Sequence, residues 1–349
     1  MRAITVLPGV ANSARLDDVA EPALSDGPIL VRTLALGVCG TDREIVAGEY
    51  GAAPPGDERL ILGHESLGTV EAAPNDGGFK PGDLVVGIVR HPDPVPCRAC
   101  AGGEWDMCSN GRYTEHGIKQ RHGFGAERFR LEPAFAVKLD PSLGLLGVLM
   151  EPTSIVAKGW DHAERIGGRS RTWQPHQLLV TGAGPIGLLA ALMGVERGLD
   201  VHVFDRNASG LKPELVGALG ATHHSEITDT ERLSPDIIME CIGAPAIVHA
   251  VLRHPAPAKI VCLAGLSTAG QMIELDPGLL NRTMVLENQV VFGSVNANLS
   301  HYQAAARALA KADRAWLARL ISRRVPLERW HEALEHRRGD IKVVLDFTT

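Results

Sequence analysis

Q-L-L-V-T-G-A-G-P-I-G-L-L-A-A-L-M-G-V-E-R, residues 177–197, changes character twice. An apolar run ends at Thr181, glycines at 182, 184 and 187 follow as G-x-G-x-x-G, and an apolar, alanine-containing stretch runs on to Arg197. The first run has the continuity of a strand buried on both faces, and the last has the length of a buried helix. Glycines alone could mark a mere tight turn, but this spacing between a strand and a helix predicts dinucleotide binding. Gly182 permits the tight turn, Gly184 lets the backbone close on a pyrophosphate, and Gly187 lets the helix pack on its strand. Pro185 and Ile186 open the helix, whose free N–H groups and positive dipole end suit phosphates. A second strand, D-V-H-V-F-D (200–205), places Asp205 roughly twenty residues on, where a carboxylate holds ribose hydroxyls. It repels a 2′-phosphate, so NAD is favoured over NADP, and the adjacent Arg206 keeps NADP open.

Strand-like runs recur at 236–242, 258–265 and 289–295 with helix-compatible segments between several of them. Such alternation predicts a doubly wound parallel sheet. Residues 1–150 read differently: short strand-like segments at 29–36, 67–73 and 83–89, with turn signals such as Pro81-Gly82, predict an all-β unit. Beyond Leu299 the sequence turns helical, through Y-Q-A-A-A-R-A-L-A and D-R-A-W-L-A-R-L-I, and closes on a strand at 341–347. A chain of 349 residues exceeds what one core supports, so an α/β domain and a β domain are expected.

Hydrophobic residues make up 45% and charged residues 22%, with a net charge of −6 and no long run of Lys or Arg. That balance argues against nucleic-acid or membrane-surface partners and suits a small neutral molecule. M-R-A-I-T-V-L-P-G-V lacks the apolar run of a signal peptide, and residues 184–195 fall short of the ~20 a bilayer needs, so a cytoplasmic location is expected. Six cysteines in that compartment stay reduced. Cys241 and Cys262 sit in apolar segments as small hydrophobes, whereas Cys97, Cys100 and Cys108 cluster.

Three further stretches carry possible metal donors: L-G-V-C-G-T-D (36–42), L-I-L-G-H-E-S-L-G-T-V (60–70) and V-L-M-E-P-T-S (148–154). Cys39, His64, Glu65 and Glu151 supply a thiolate, an imidazole and two carboxylates, all zinc donors. Each also has a structural explanation, as a buried thiol, a core histidine or a helix-start carboxylate, and spacing alone leaves both open.

Taken in order, C-G-T-D, G-H-E-x-x-G, the cysteine lobe, E-P and G-x-G-x-x-G resemble the zinc-dependent medium-chain dehydrogenase/reductase superfamily over essentially the whole chain. G-R-Y-T-E-H-G-I (111–118), R-H-G-F (121–124), M-E-P-T-S-I (150–155) and F-G-S-V-N-A-N-L-S-H-Y (292–302) resemble its glucose 1-dehydrogenase branch. The resemblance implies a GroES-like β-rich catalytic domain, residues 1–158 and 301–349, with a Rossmann domain, 159–300, inserted. It implies a catalytic zinc at Cys39, His64 and Glu65, with Glu151 joining or approaching it. Thr41 would stand beside the substrate oxygen, Glu115 would hold sugar hydroxyls, and Asn296, Asn298 and His301 would approach nicotinamide and sugar. Zinc would then lower the pKa of a C1 hydroxyl, Thr41 would pass its proton outward, and hydride would move to the nicotinamide, giving a lactone.

Two positions depart from the family pattern. Glu44 stands where many relatives place a proton-relaying histidine, and Pro94 where a structural zinc would take a fourth cysteine. A second zinc held by Cys97, Cys100, Cys108 and Asp93 is one expectation, and a lobe of three reduced thiols is the other. D-glucose is the favoured substrate, with another polyol, a cyclitol or an aminosugar as alternatives. A non-catalytic dinucleotide-binding protein is the rival, opposed by the intact Cys39, Thr41, His64 and Glu65. The resemblance also implies a homodimer or homotetramer built on the edge strand V-V-F-G-S-V (290–295).

Overall fold

A computed structural model of the chain describes residues 1–75, 77–267, 270 and 272–348. It divides into two compact units, Met1–Ser154 with Asn296–Thr349, and Ile155–Val295. The divisions fall a few residues before the expected 158/159 and 300/301. The first lies inside the helix Met150–Gly167, whose opening turn, with Glu151, belongs to the β-rich unit.

That unit is built on the ten-residue strand Ile29–Val38. Ile29, Val31, Thr33 and Ala35 are buried in alternation, and Leu36 and Val38 are buried as well. The strand is covered along its length, by Arg128–Leu131 and Glu65–Ala72 and, at its end, by Lys342–Asp346, all antiparallel to it. The register sets Gly37 opposite Glu65 and Val38 opposite Val343. Leu84–Gly87 and Ala136–Lys138 extend the sheet on one side. Ile321–Pro326 extends it on the other, parallel to Lys342–Asp346.

That last strand corrects the helical expectation for this region. The helix Arg314–Leu320 stops where I-S-R-R-V-P begins, because β-branched Ile321 and Val325 gain more from pairing with Lys342–Asp346 than from another helical turn. A small separate sheet joins Arg90–His91, Thr114–His116 and Gln120–Arg121.

The second unit carries a six-stranded parallel sheet. Its strands lie in the order Thr222–His224, Asp200–Phe204, Gln177–Thr181, Ile237–Glu240, Ile260–Leu263, Val290–Gly293. Strand order reverses at Gln177–Thr181, the place where such sheets bind ligands beyond their carboxyl ends. The short edge strand Thr222–His224 has no apolar run and was invisible to pattern. Cys262 is buried as expected, while Cys241 at a strand end is only partly covered. Among the described residues, no helix is long and apolar enough to cross a membrane.

Candidate active site

Cys39 follows the central strand directly and caps the helix Gly40–Val46. Its N–H donates to Asp42 Oδ2 at 2.8 Å, and Asp42 Oδ1 lies 3.3 Å from His64 Nδ1. Asp42 thus faces one ring nitrogen and leaves Nε2 for a metal, the usual carboxylate–histidine arrangement around zinc. Burial pushes the His64 imidazole down, but the charge and hydrogen bond of Asp42 together with the Cys39 side chain outweigh it and hold the ring well above its ordinary value. Asp42 is held below the usual carboxylate range, against its burial, by His64 and by the Cys39 N–H.

Donor atoms of Cys39, His64 and Glu65 all lie within 4.8 Å of one another. Glu65 opens the strand beside the central one, and both of its oxygens accept from Lys342 Nζ at 2.6 Å, with each side chain 2% exposed. Gly37, opposite Glu65, has no side chain because a Cβ there would come within 2.0 Å of Glu65 Oε2. Glu151 falls outside the three-donor group but is buried against Glu65. Its carboxyl is pushed up to about 7, by burial first and then by the Glu65 charge. A thiol, an imidazole and a carboxylate gathered within 4.8 Å are a donor set that suits zinc. Thr41 sits half-buried in the first turn of the Cys39 helix, and Glu44 is exposed.

Glu115 Oε1 accepts from Arg90 Nη2 at 3.0 Å and from Asn296 Nδ2 at 2.7 Å. Asn296, expected at the cofactor, is therefore spent on the Glu115 carboxylate. Asn298 caps the helix Leu299–Lys311, accepting from the Ser300 N–H, and donates from Nδ2 to Asp106 Oδ1 at 2.8 Å. His301 Nδ1 accepts the Asn298 N–H and stands 3.9 Å from Asp106 Oδ2.

In the cysteine lobe, the sulfurs of Cys97, Cys100 and Cys108 share a 4.8 Å neighbourhood, and Asp93 is not among them. Its carboxylate is tied instead to the Val95 N–H, Asn110 Nδ2 and Arg112 Nε, which corrects the expectation of Asp93 as fourth ligand. N–H groups of Cys100 and Ser109 pull the Cys97 thiol down to about 6, while burial pushes Cys100 up to about 11.

The second unit places the glycine loop where it was expected. A Cβ on Gly187 would lie 1.7 Å from Gly182 O, whereas around Gly184 there is open space, the cradle a pyrophosphate needs. Pro185 is the first residue of the helix Pro185–Glu196, followed by Ile186. Asp205 is turned inward, which departs from the expected role. Oδ2 accepts from the Ala183 N–H at 2.9 Å and from Lys212 Nζ at 3.2 Å, and Oδ1 accepts from the Asn207 N–H at 3.0 Å and its Nδ2. With its acceptor directions taken, Asp205 braces the loop, and the expected NAD preference finds no support in it. Arg206 is exposed beside it.

Residues 144–347 match the family described as "Glucose dehydrogenase C-terminus", and residues 25–141 match "Alcohol dehydrogenase GroES-like domain". A glucose 1-dehydrogenase of Methanocella arvoryzae is 39% identical over 99% of both chains. The chain belongs to the glucose dehydrogenase family. Within that family, a glucose 1-dehydrogenase of Thermoproteus tenax is also 39% identical, over the whole of both chains. The glucose dehydrogenase of Haloferax mediterranei, solved in complex with NADP, Zn and gluconolactone, matches all of both chains at a TM-score of 0.91 and 31% identity. The fold is therefore that of a medium-chain dehydrogenase, a GroES-like domain with a Rossmann domain inserted.

Four residues around this glucose dehydrogenase site escaped motif reading: Asp42, Arg90, Asp106 and Lys342. Asp42 stood inside C-G-T-D, and Lys342 was a lone cation in the apolar strand I-K-V-V-L-D-F, itself a sign of a buried partner. Nothing in the sequence marked Arg90 or Asp106. Replacing Lys342 by Met leaves Glu65 charged and unpaired, at a cost of about 3–5 kcal/mol. Urea unfolding should show that loss, and the double variant Glu65→Gln, Lys342→Met should regain most of it. A single variant within ~1 kcal/mol of wild type, the range of an exposed pair, would deny the pair its structural weight.

Proposed function

We propose that the protein oxidises the C1 hydroxyl of D-glucose to gluconolactone, with zinc at Cys39, His64 and Glu65 and with NAD or NADP as hydride acceptor. The observation that carries this reading is the Cys39–His64–Glu65 donor group, with His64 and Glu65 buried and Cys39 partly so, in the same compact unit as the Glu115–Asn296 pair. The Haloferax relative's gluconolactone complex supports it.

Zinc, when bound, supplies Lewis acidity that makes a hydroxyl easier to deprotonate. The chain does the rest. Asp42 orients His64, and Lys342 fixes Glu65. Thr41 Oγ1 takes the hydroxyl proton and hands it toward solvent, with exposed Glu44 or water in place of a histidine relay. Glu115 accepts from a ring hydroxyl, and Asn298, held by Asp106 and Ser300, caps the helix that presents His301 to the sugar. Purified with zinc, the protein should reduce NADP or NAD with D-glucose. Cys39→Ala and His64→Ala should each abolish turnover while leaving dinucleotide affinity within a few-fold, because the glycine loop belongs to the other unit. Near-normal turnover by either variant would sink the zinc assignment. Metal analysis is expected at one zinc per chain, since among the described residues the cysteine lobe gathers three thiols and no fourth donor.

For the cofactor we propose dual use of NAD and NADP, with Arg206 and Lys212 as the cations nearest a 2′-phosphate. Burial tends to raise the Asp205 carboxyl, but the N–H groups of Asn207 and Ala183 and the Lys212 charge hold it below its ordinary value. Its brace is therefore present at neutral pH and lost only as acid protonates it. Asp205→Ala should weaken both cofactors by similar factors. A change of more than about tenfold in the ratio of the two kcat/KM values, ~1.4 kcal/mol, would instead make Asp205 the ribose reader.

A homodimer through Val290–Gly293 is the oligomer we propose. Among the described residues this strand, paired on one side only, is an edge of the sheet, and Val285, Leu286 and Val295 near it in sequence are 65%, 60% and 55% exposed. Sedimentation should give a dimer that Val295→Lys weakens, and a wild-type monomer would refute the interface.

A further inference from the structure

Arg90 and Glu115 face each other across two antiparallel strands, Arg90–His91 and Thr114–His116. Arg90 Nε and Nη2 reach the same oxygen, Glu115 Oε1, at 3.1 and 3.0 Å, and Asn296 Nδ2 reaches it at 2.7 Å. Arg90 Nη1 donates to the Asp106 carbonyl at 3.1 Å. The guanidinium carbon lies 3.7 Å from the centre of the Tyr113 ring, and the Lys119 ammonium lies 4.0 Å from it. The two side chains of the pair are 7% and 5% exposed.

The guanidinium gives its charge to Glu115, one N–H to a carbonyl and its face to an aromatic ring. Buried and with its charge already matched by a carboxylate, it is not an anion-binding cation waiting for a ligand's phosphate or carboxylate. Three donors on Oε1 also stop the carboxylate from turning, and among the described residues no donor sits on Oε2. We propose that Arg90 is a positioning residue that clamps Glu115 by one oxygen and aims the other at a single ring hydroxyl of an uncharged sugar. The inference rests on the assignment of Glu115 as the sugar-binding carboxylate. A structural strap between two strands would make the same contacts but would not select among hydroxyls.

The test compares wild type, Arg90→Gln and Arg90→Lys on glucose and on 2-, 3-, 4- and 6-deoxyglucose, with zinc and NADP. Wild type should lose at least about tenfold in kcat/KM on one deoxy sugar, the loss expected of a missing charge-assisted hydrogen bond. Arg90→Gln should raise KM for glucose by a similar factor, leave KM for NADP within about twofold, and accept that same deoxy sugar as readily as glucose. Arg90→Lys keeps the charge without the fork and should restore stability without restoring the discrimination. If the deoxy penalty persists in the variants, Arg90 is a strap and the inference falls. Should Arg90→Gln not fold, Arg90→Lys decides on the same comparison. A wild-type enzyme indifferent to every hydroxyl deletion overturns the assignment of Glu115, and one that leaves glucose untouched overturns the proposed function.

Discussion

A lysine and a glutamate sealed from water hold the metal-donor end of the catalytic unit together. Lys342 and Glu65 belong to the two strands that flank Ile29–Val38, and the side chain missing at Gly37 leaves room for their meeting. An isolated charge at that depth would be expensive to bury, and each half of the pair removes the penalty of the other. Because Cys39 is the residue after the central strand and His64 the one before Glu65, the same register that forms the ion pair brings sulfur and imidazole together. The closeness of these donor atoms is a consequence of strand pairing.

Around this pair the acids divide by environment. Glu65 has its cation, and Asp42 has a histidine and an N–H. Glu151 is buried with an anion for a neighbour and is pushed up accordingly. A divalent ion bound here would relieve the repulsion between the Glu65 and Glu151 carboxylates. The Glu115 cluster shows the opposite design, a carboxylate already neutralised by Arg90. It offers hydrogen-bonding capacity without net charge, which matches a polyhydroxyl substrate better than an ionic one.

The cysteine lobe contributes to the site through a residue that no motif marked. Asp106, in the short turn Trp105–Met107, accepts from Asn298 with its side chain and from Arg90 with its carbonyl. The lobe thereby backs both the helix that carries His301 and the strand that carries Arg90. Three thiols with no fourth donor gathered among the described residues are compatible with this role, since the lobe is held by Asp93 and its hydrogen bonds to Asn110 and Arg112.

The glycine loop, the strand and helix around it, and the order of the donor motifs were legible in the sequence, because each depends on chemistry within a turn or two. A tight turn needs glycine, a buried strand needs an unbroken apolar run, and a zinc site needs soft and borderline donors. The fate of each polar group was decided only by the tertiary structure. Asp205 turned to its own loop, Asp93 to Arg112 and Asn296 to Glu115, and Glu65 met a lysine 277 positions away. Local pattern reports which backbone a segment prefers and which atoms it can offer. It does not report which distant strand will supply a partner, and for a buried charge that partner settles whether it binds a ligand, holds a neighbour or braces the fold.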